Sequence, residues 1–258
     1  MHATEPVPRP RSHGLIASVL PAAAVAAESF GPVPALGPPL PPAEERAMRT
    51  AGPRRRAEFA AARWCARTAL AGLGMADAEI PPGPAGEPRW PAGVAGSITH
   101  CRGYRACAVA RAADVAAIGI DAEPDERLPA GLAETVTTAA ERARIGRLAA
   151  SAPAVCWERL VFSAKEAACK LWYPLTGCWP GPGGLAVSGA MDAADAEGAA
   201  GSFTVRLPDA GPAPAGMPRT LAGRWLARGG LIVTAIAWSP AGPGAPAGRA
   251  APARPAGR

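Results

Sequence analysis

Hydrophobic positions change period several times along this chain, and those changes mark out its elements. From residue 42 to 73 the pattern is helical: Phe59, Arg63, Ala66 and Leu70 fall on one face, Pro42-Ala43-Glu44-Glu45 offers a start, and Gly72 and Gly74 offer a stop. Residues 96–100 and 104–110 alternate as strands around a turn at Arg102-Gly103, and residues 115–123 form a third strand that Pro124 ends. Residues 132–150 read as a helix, with Arg142, Arg144 and Arg147 mostly outward. Residues 157–172 carry the strongest helical pattern, which Pro174 is expected to terminate. Residues 203–207 and 231–238 read as late strands, and residues 16–19 and 22–26 as short strands flanking Pro21. A proline-rich connection (32–42), a Pro/Gly loop (80–91) and a glycine-rich loop between Gly177 and Gly189 join them. Helices and strands mix without βαβ repetition, so the expected class is α+β.

Composition adds limits rather than a fold. With 258 residues, 49% of them hydrophobic, the chain can fill one large core or two small ones. The excess of Ala, Gly, Pro and Arg reads as codon bias. Residues 1–14 and 241–258 lack core-forming side chains and are expected to be a disordered leader and tail. The net charge of +6 is spread without any arginine run interleaved with aromatics, which argues against a nucleic-acid platform. Arg9 and Arg11 ahead of the apolar run 15–27 imitate a secretory signal, but Pro21 splits the run and Glu28 closes it. No stretch is long enough to span a bilayer. The six cysteines contain no CxxC pair and are expected to be small buried thiols in a cytoplasmic protein.

Two features carry chemistry. On a strand, Asp121 and Glu123 point to one side while Ile120 points to the other. Paired carboxylates repel unless a cation or an Arg or Lys neutralises them, and Mg²⁺ takes one or two carboxylates with water and substrate phosphates. The same spacing also fits a strand end with two solvated acids. Second, Glu166 and Lys170 are four residues apart on the apolar 157–172 helix, and Lys165 and Lys170 are the only lysines among 27 cationic residues. Where surface charge is otherwise arginine, a retained lysine suggests a compact ammonium, such as a phosphate site uses, although a plain surface ion pair has the same spacing. Thr99 and His100, at a strand end, are a hydroxyl and an imidazole within reach of a phosphate; a structural histidine is the alternative.

The segments Gly-Ser-Ile-Thr-His-Cys (96–101), Ile-Gly-Ile-Asp-Ala-Glu-Pro (118–124) and Phe-Ser-Ala-Lys-Glu-Ala-Ala-Cys-Lys-Leu-Trp (162–172) together resemble the three signature blocks of 4′-phosphopantetheinyl transferases. They are similar to the larger surfactin/enterobactin-synthase class, in which one chain holds two similar α/β halves related by a pseudo-twofold axis, with the active site between them. Arg55-Arg56-Ala57-Glu58-Phe59, Arg63-Trp64-Cys65-Ala66-Arg67 and Glu87-Pro88-Arg89-Trp90-Pro91 extend the resemblance from about residue 16 to 238. It implies an N-terminal subdomain (15–115) on the nucleotide side of coenzyme A and a C-terminal subdomain (116–240) with the Mg²⁺ site. It implies Asp121, Glu123 and Glu166, helped by the Ala122 carbonyl, as Mg²⁺ ligands. Glu166 and Lys170 would be catalytic, with Glu166 helping to deprotonate the incoming serine. Lys165 and Lys170 would face phosphates. Arg55, Arg63, Thr99 and His100 would hold the 3′-phosphoadenosine end of coenzyme A, and Pro82, Gly83, Pro84 and Ala85 would lie along the adenine. Pro82 stands where members often carry Lys or Arg, with Arg89 as the nearby substitute.

The implied partners are coenzyme A and apo acyl or peptidyl carrier proteins of fatty-acid, polyketide, non-ribosomal peptide or siderophore synthesis, served by a monomer without nucleic acid or membrane. No G-x-S-x-G elbow, Walker A loop or G-x-G-x-x-G loop competes. Two other readings share the residues: a Mg²⁺ enzyme hydrolysing a nucleotide pyrophosphate, and a non-catalytic protein binding coenzyme A or carrier.

Overall fold

The computed structural model describes residues 14–33, 39–208 and 213–240. The expected disordered tail and all but the last residue of the leader lie outside the described residues. Two antiparallel sheets and two long helices stack in four layers. The first sheet has the order β1-β3-β2, from β1 (Val25–Phe30), β2 (Val94–Cys101) and β3 (Tyr104–Arg111). The second has the order β4-β8-β7-β6-β5, from β4 (Ala117–Pro124), β5 (Ala186–Ala194), β6 (Gly198–Arg206), β7 (Thr220–Arg228) and β8 (Leu231–Trp238). Helix α1 (Pro42–Ala47) precedes the long α2 (Pro53–Ala71). Between β4 and β5 run α3 (Leu132–Val136), α4 (Ala139–Ser151) and α5 (Trp157–Thr176). The α+β expectation holds.

Each layer contact has its own apolar cluster. Cys65, Ala66, Ala69 and Leu70 of α2 pack on Ala27, Cys107 and Val109 of the first sheet. The other face of β3, with Tyr104, Ala106 and Ala108, meets Ile118, Ile120 and Val233 of the second sheet. The far side of that sheet takes Leu160, Ala164, Ala168 and Trp172 of α5. Small residues set the spacing. A Cβ on Gly119 would sit 1.9 Å from the Ala167 carbonyl oxygen, so only glycine lets α5 lie this close to β4.

The sheets also meet along β2 and β4 without a regular ladder. Side-chain hydroxyls take its place: the Ile120 N–H donates to Ser97 Oγ at 3.1 Å and the Ala122 N–H to Thr99 Oγ1 at 3.0 Å. Those backbone groups would otherwise be buried donors without acceptors.

Several expectations are corrected. Residues 17–19 form a short 3₁₀ turn, and the first strand begins only at Val25. The apolar run 15–27 belongs to the core, where Ile16, Val19, Ala26 and Ala27 are buried. The single helix expected over 132–150 is broken between Val136 and Ala139, because Thr138 and Glu141 form a capping box that starts α4. Pro174 lies inside α5, and the helix ends at Gly177 in the left-handed region (φ 68°), whose N–H donates to the Tyr173 carbonyl. A proline so near the end forfeits one carbonyl partner without breaking the helix. Strands β5 and β7 went unforeseen. Inward glycines at 189 and 223 hide their alternation, as Gly201 does in β6, and aromatic rings fill the space at two of the three: a Cβ on Gly201 would lie 2.7 Å from Trp225, one on Gly223 2.3 Å from Phe203. Among the cysteines, all free, Cys178 is exposed and Cys101 and Cys156 are only half-buried, rather than buried as expected. Among the described residues no helix is long and apolar enough to cross a membrane.

Candidate active site

A cleft of about 390 Å³ opens between the N-terminal half of α2, the loop after Ile80, strand β2 and the last turns of α5. That volume falls in the range of small-molecule sites, about 300–1,000 Å³. Arg55, Arg63, His100 and Lys170 line it, with Glu58 and Glu87 as its acids. Aromatic and apolar surface comes from Phe59, Tyr173 and Trp179. Trp179 is half exposed and stacks edge-on against Tyr173 at 6.0 Å. A cationic mouth with a ring-lined wall suits a ligand that is anionic at one end and apolar elsewhere.

Arg63 is buried, with its Nε donating to the Ile80 carbonyl at 2.7 Å and its guanidinium 4.4 Å above the Phe59 ring. Burial pulls it down to about 10, which still leaves it fully charged at neutral pH. Its Nη2 is buried without any hydrogen-bond partner. A buried charged donor left unpaired costs about 1–3 kcal/mol or more, so an anionic acceptor is the natural complement. His100 sits below its ordinary range through burial, with Lys170 and Arg55 repelling a proton. Arg55 is exposed at the mouth.

Strand geometry separates two residues expected to act together. His100 faces the cleft, while Thr99 points to the opposite side, is buried, and does not line it. The Thr99 hydroxyl donates to Asp121 Oδ1 at 3.2 Å and accepts from the Ala122 N–H and from Lys170 Nζ at 3.4 Å. All of its hydrogen-bonding capacity is used. Thr99 thus orients the acid and the lysine instead of reaching into the cleft itself. The adenine loop is likewise shifted. Ala85 lines the cleft, followed by Gly86, Glu87 and Pro88, whereas Pro82, Gly83 and Pro84 do not. Glu87 curls back so that its Oε2 accepts from the Ala85 N–H and its backbone carbonyl from the Gly83 N–H, turning the first part of the loop away.

Lys170 joins the cleft to the acids. Its Nζ donates to Asp121 Oδ1 at 2.6 Å. Asp121 is buried, and its Oδ2 has no hydrogen-bond partner. Glu166, one turn before Lys170, is half-buried and has no hydrogen bond or ion pair among the described residues. Burial and the charge of Asp121 raise its carboxyl above the ordinary range. Glu123 Oε2 accepts from Arg159 Nη1 at 2.9 Å, and the group is pushed up to about 7 by burial first and Asp121 second. Ala122 is buried between the two acids. Among the described residues no three His, Cys, Asp or Glu side chains converge on one metal position, and one Glu123 oxygen is taken by Arg159. Arg159 itself gave no signal in the sequence beyond being one more arginine.

Lys165 is the clear misplacement. It is wholly buried, and its Nζ donates to the Val136 carbonyl at 2.7 Å and to Glu141 Oε2 at 2.8 Å. One residue along a helix is a rotation of about 100°, so Lys165 faces α3 and α4 while Glu166 faces β4. It contacts no part of the cleft.

Residues 43–110 match the model of the 4′-phosphopantetheinyl transferase N-terminal domain, and residues 117–205 that of the 4′-phosphopantetheinyl transferase superfamily. The chain is 46% identical over 238 residues to 4′-phosphopantetheinyl transferase Svp of Streptomyces mobaraensis, covering 92% of each. It is 41% identical over 225 residues to 4′-phosphopantetheinyl transferase PptT of Mycobacterium tuberculosis, covering 86% of this chain and 97% of that one. Over 200 residues it is 42% identical to 4′-phosphopantetheinyl transferase Npt of Nocardia iowensis, covering 77% and 89%.

Proposed function

Because this chain belongs to the 4′-phosphopantetheinyl transferase superfamily, we infer that it transfers the 4′-phosphopantetheine arm of coenzyme A to a serine of a carrier protein. The observation that supports the chemistry most directly is Lys170, which lines the cationic cleft and at the same time holds Asp121. Coenzyme A enters with its 3′-phosphoadenosine end toward Arg55, Arg63 and His100 and its pyrophosphate toward Lys170. The carrier serine oxygen attacks the β-phosphate in line. A new P–O bond forms, the bond to the leaving phosphate breaks, and 3′,5′-ADP departs with its charge met by Lys170. Glu166 accepts the serine proton, directly or through one water. Its unpartnered carboxylate and raised proton affinity suit that task. The nucleophile comes from the carrier, which is why this chain needs none.

The acids suit a hard divalent cation. Asp121 Oδ2 is a buried oxygen without a partner, and Mg²⁺ needs only one or two carboxylates beside water and phosphate oxygens. Asp121 and Glu166 would hold it, with the Glu123 oxygen not bound by Arg159 and the Ala122 carbonyl as further donors. Bound Mg²⁺ would offset charge on the pyrophosphate and the leaving group. The division into subdomains 15–115 and 116–240 is part of the same reading, as are action as a monomer and a cytoplasmic location. Both long helices reach one cleft from one chain, and six free thiols suit a reducing compartment.

Intact-mass spectrometry of apo carriers incubated with coenzyme A tests this. The expected result is the mass of one phosphopantetheine on the carrier serine, requiring a divalent cation and falling about 100-fold or more in Asp121→Ala. Release of 3′,5′-ADP with no modified carrier would favour hydrolysis instead, and full turnover in metal-free buffer would remove Mg²⁺ from the mechanism.

A further inference from the structure

The cleft wall that carries Arg63 rests on a buried ionic group outside the cleft. Glu44, in the first turn of α1, is completely buried. Its two carboxylate oxygens accept from Arg67 Nη1 at 3.1 and 2.9 Å, and Oε1 also accepts from the Ile80 N–H at 2.8 Å. The carbonyl of the same Ile80 accepts from Arg63 Nε at 2.7 Å. One peptide residue, itself fully buried, is therefore gripped on its N–H by an acid and on its C=O by the cleft arginine. Arg63 and Arg67 are one turn apart on α2, so both guanidiniums reach toward α1 and the strand of chain that becomes the cleft loop.

We propose that Glu44 is a positioning residue for Arg63, aiming its spare guanidinium nitrogen at the ribose phosphate of bound coenzyme A. The inference rests on the reading of Arg63 as a contact to the 3′-phosphoadenosine end. Buried Arg63 and half-buried Arg67 repel one another, and Glu44 is the buried acid that attracts both. Without it, Arg63 would lose the acid whose charge favours it most and the Ile80 peptide its N–H acceptor, so the guanidinium would be free to turn. With it, Nε is committed to Ile80, and Nη2 is left buried and without a hydrogen-bond partner in a residue that lines the cleft. Glu44 does not line the cleft, so its influence on ligand must pass through Arg63 and Ile80.

Calorimetric titration of the full chain with coenzyme A and with 3′-dephospho-coenzyme A tests this, because the two ligands differ only in the phosphate at issue. The quantity read is the ratio of their dissociation constants, expected to favour coenzyme A by about tenfold or more in the unaltered protein. Arg63→Met should bring the ratio close to one, and Glu44→Gln should lower it most of the way there. A role confined to stability would weaken both ligands equally and leave the ratio unchanged. That result in Glu44→Gln, with the ratio lost in Arg63→Met, would overturn the proposal while sparing the role of Arg63. An unchanged ratio in Arg63→Met would overturn both. If Glu44→Gln fails to fold, Glu44→Gln/Arg67→Met leaves no lone buried charge at the pair and is read in the same way.

Discussion

Replacing Lys165 by methionine would separate the two roles open to it. The side chains are of similar length, so the change removes an ammonium with little change in volume. Glu141 would be left as a buried carboxylate holding only backbone donors: Oε2 would keep the Thr138 N–H at 2.7 Å, and Oε1 the Val187 N–H at 2.7 Å. The Val136 carbonyl would lose its ammonium donor. Breaking a buried ion pair from one side costs about 3–5 kcal/mol, a large part of the 5–15 kcal/mol that holds a typical domain. Lys165→Met should therefore unfold at distinctly lower urea concentration. Adding Glu141→Gln removes the stranded charge while keeping an acceptor, and should recover most of the lost stability, because an ion pair replaced whole is often nearly neutral. The dissociation constant of coenzyme A should stay within about twofold in both folded variants, since Lys165 touches no part of the cleft. The reverse pattern, with normal unfolding, coenzyme A bound tenfold or more weakly and no rescue by Glu141→Gln, would refute this reasoning. It would return Lys165 to the phosphates.

Gly119→Ala tests the close approach of α5 to β4. The added methyl meets the Ala167 carbonyl at 1.9 Å, so the variant should lose roughly 1–3 kcal/mol in urea unfolding, and turnover should fall as Glu166 and Lys170 move off Asp121; unchanged stability would mean the helix has slack here. For Glu123, burial and Asp121 raise the folded-state value from 4.5 to about 7, so the folded chain keeps a proton that the unfolded chain releases earlier. Its contribution to stability is complete below about 4.5 and is lost as pH rises to about 7. In metal-free protein the fall in Tm between about pH 5 and about pH 7.5 should therefore be smaller in Glu123→Gln than in the unaltered chain. An identical pH profile would mean that Arg159 already holds Glu123 ionised.

Local pattern was enough wherever one residue's neighbours in sequence are also its neighbours in space. The period of 59–70 fixed the face of α2, the alternation at 118–123 set Asp121 and Glu123 on one side of β4, and the four-residue spacing set Glu166 and Lys170 on one face of α5. The α+β class followed from the same signals. The acid–lysine core of the site was legible for that reason. That Arg63 and His100 share one cleft was implied once the motif blocks were read together.

What went unread depended on contacts between distant segments. Thr99 and His100 are adjacent, yet only the meeting of β2 with β4 decides that one serves Asp121 and the other the cleft. Glycines at 201 and 223 look like loop residues until Trp225 and Phe203 fold over them. Lys165 looks like Lys170 in the sequence. Only the packing of α4 and β5 on the far side of α5 supplies Glu141 and turns it from the phosphates into the core. Arg159 and Glu44 lacked any motif, because an arginine or a glutamate acquires its role from the partner across the gap, here Glu123 and the Ile80 peptide. Periodicity within one element fixes the side to which a residue points. The element that stands on that side is set by burial summed over the whole chain, which no local window contains.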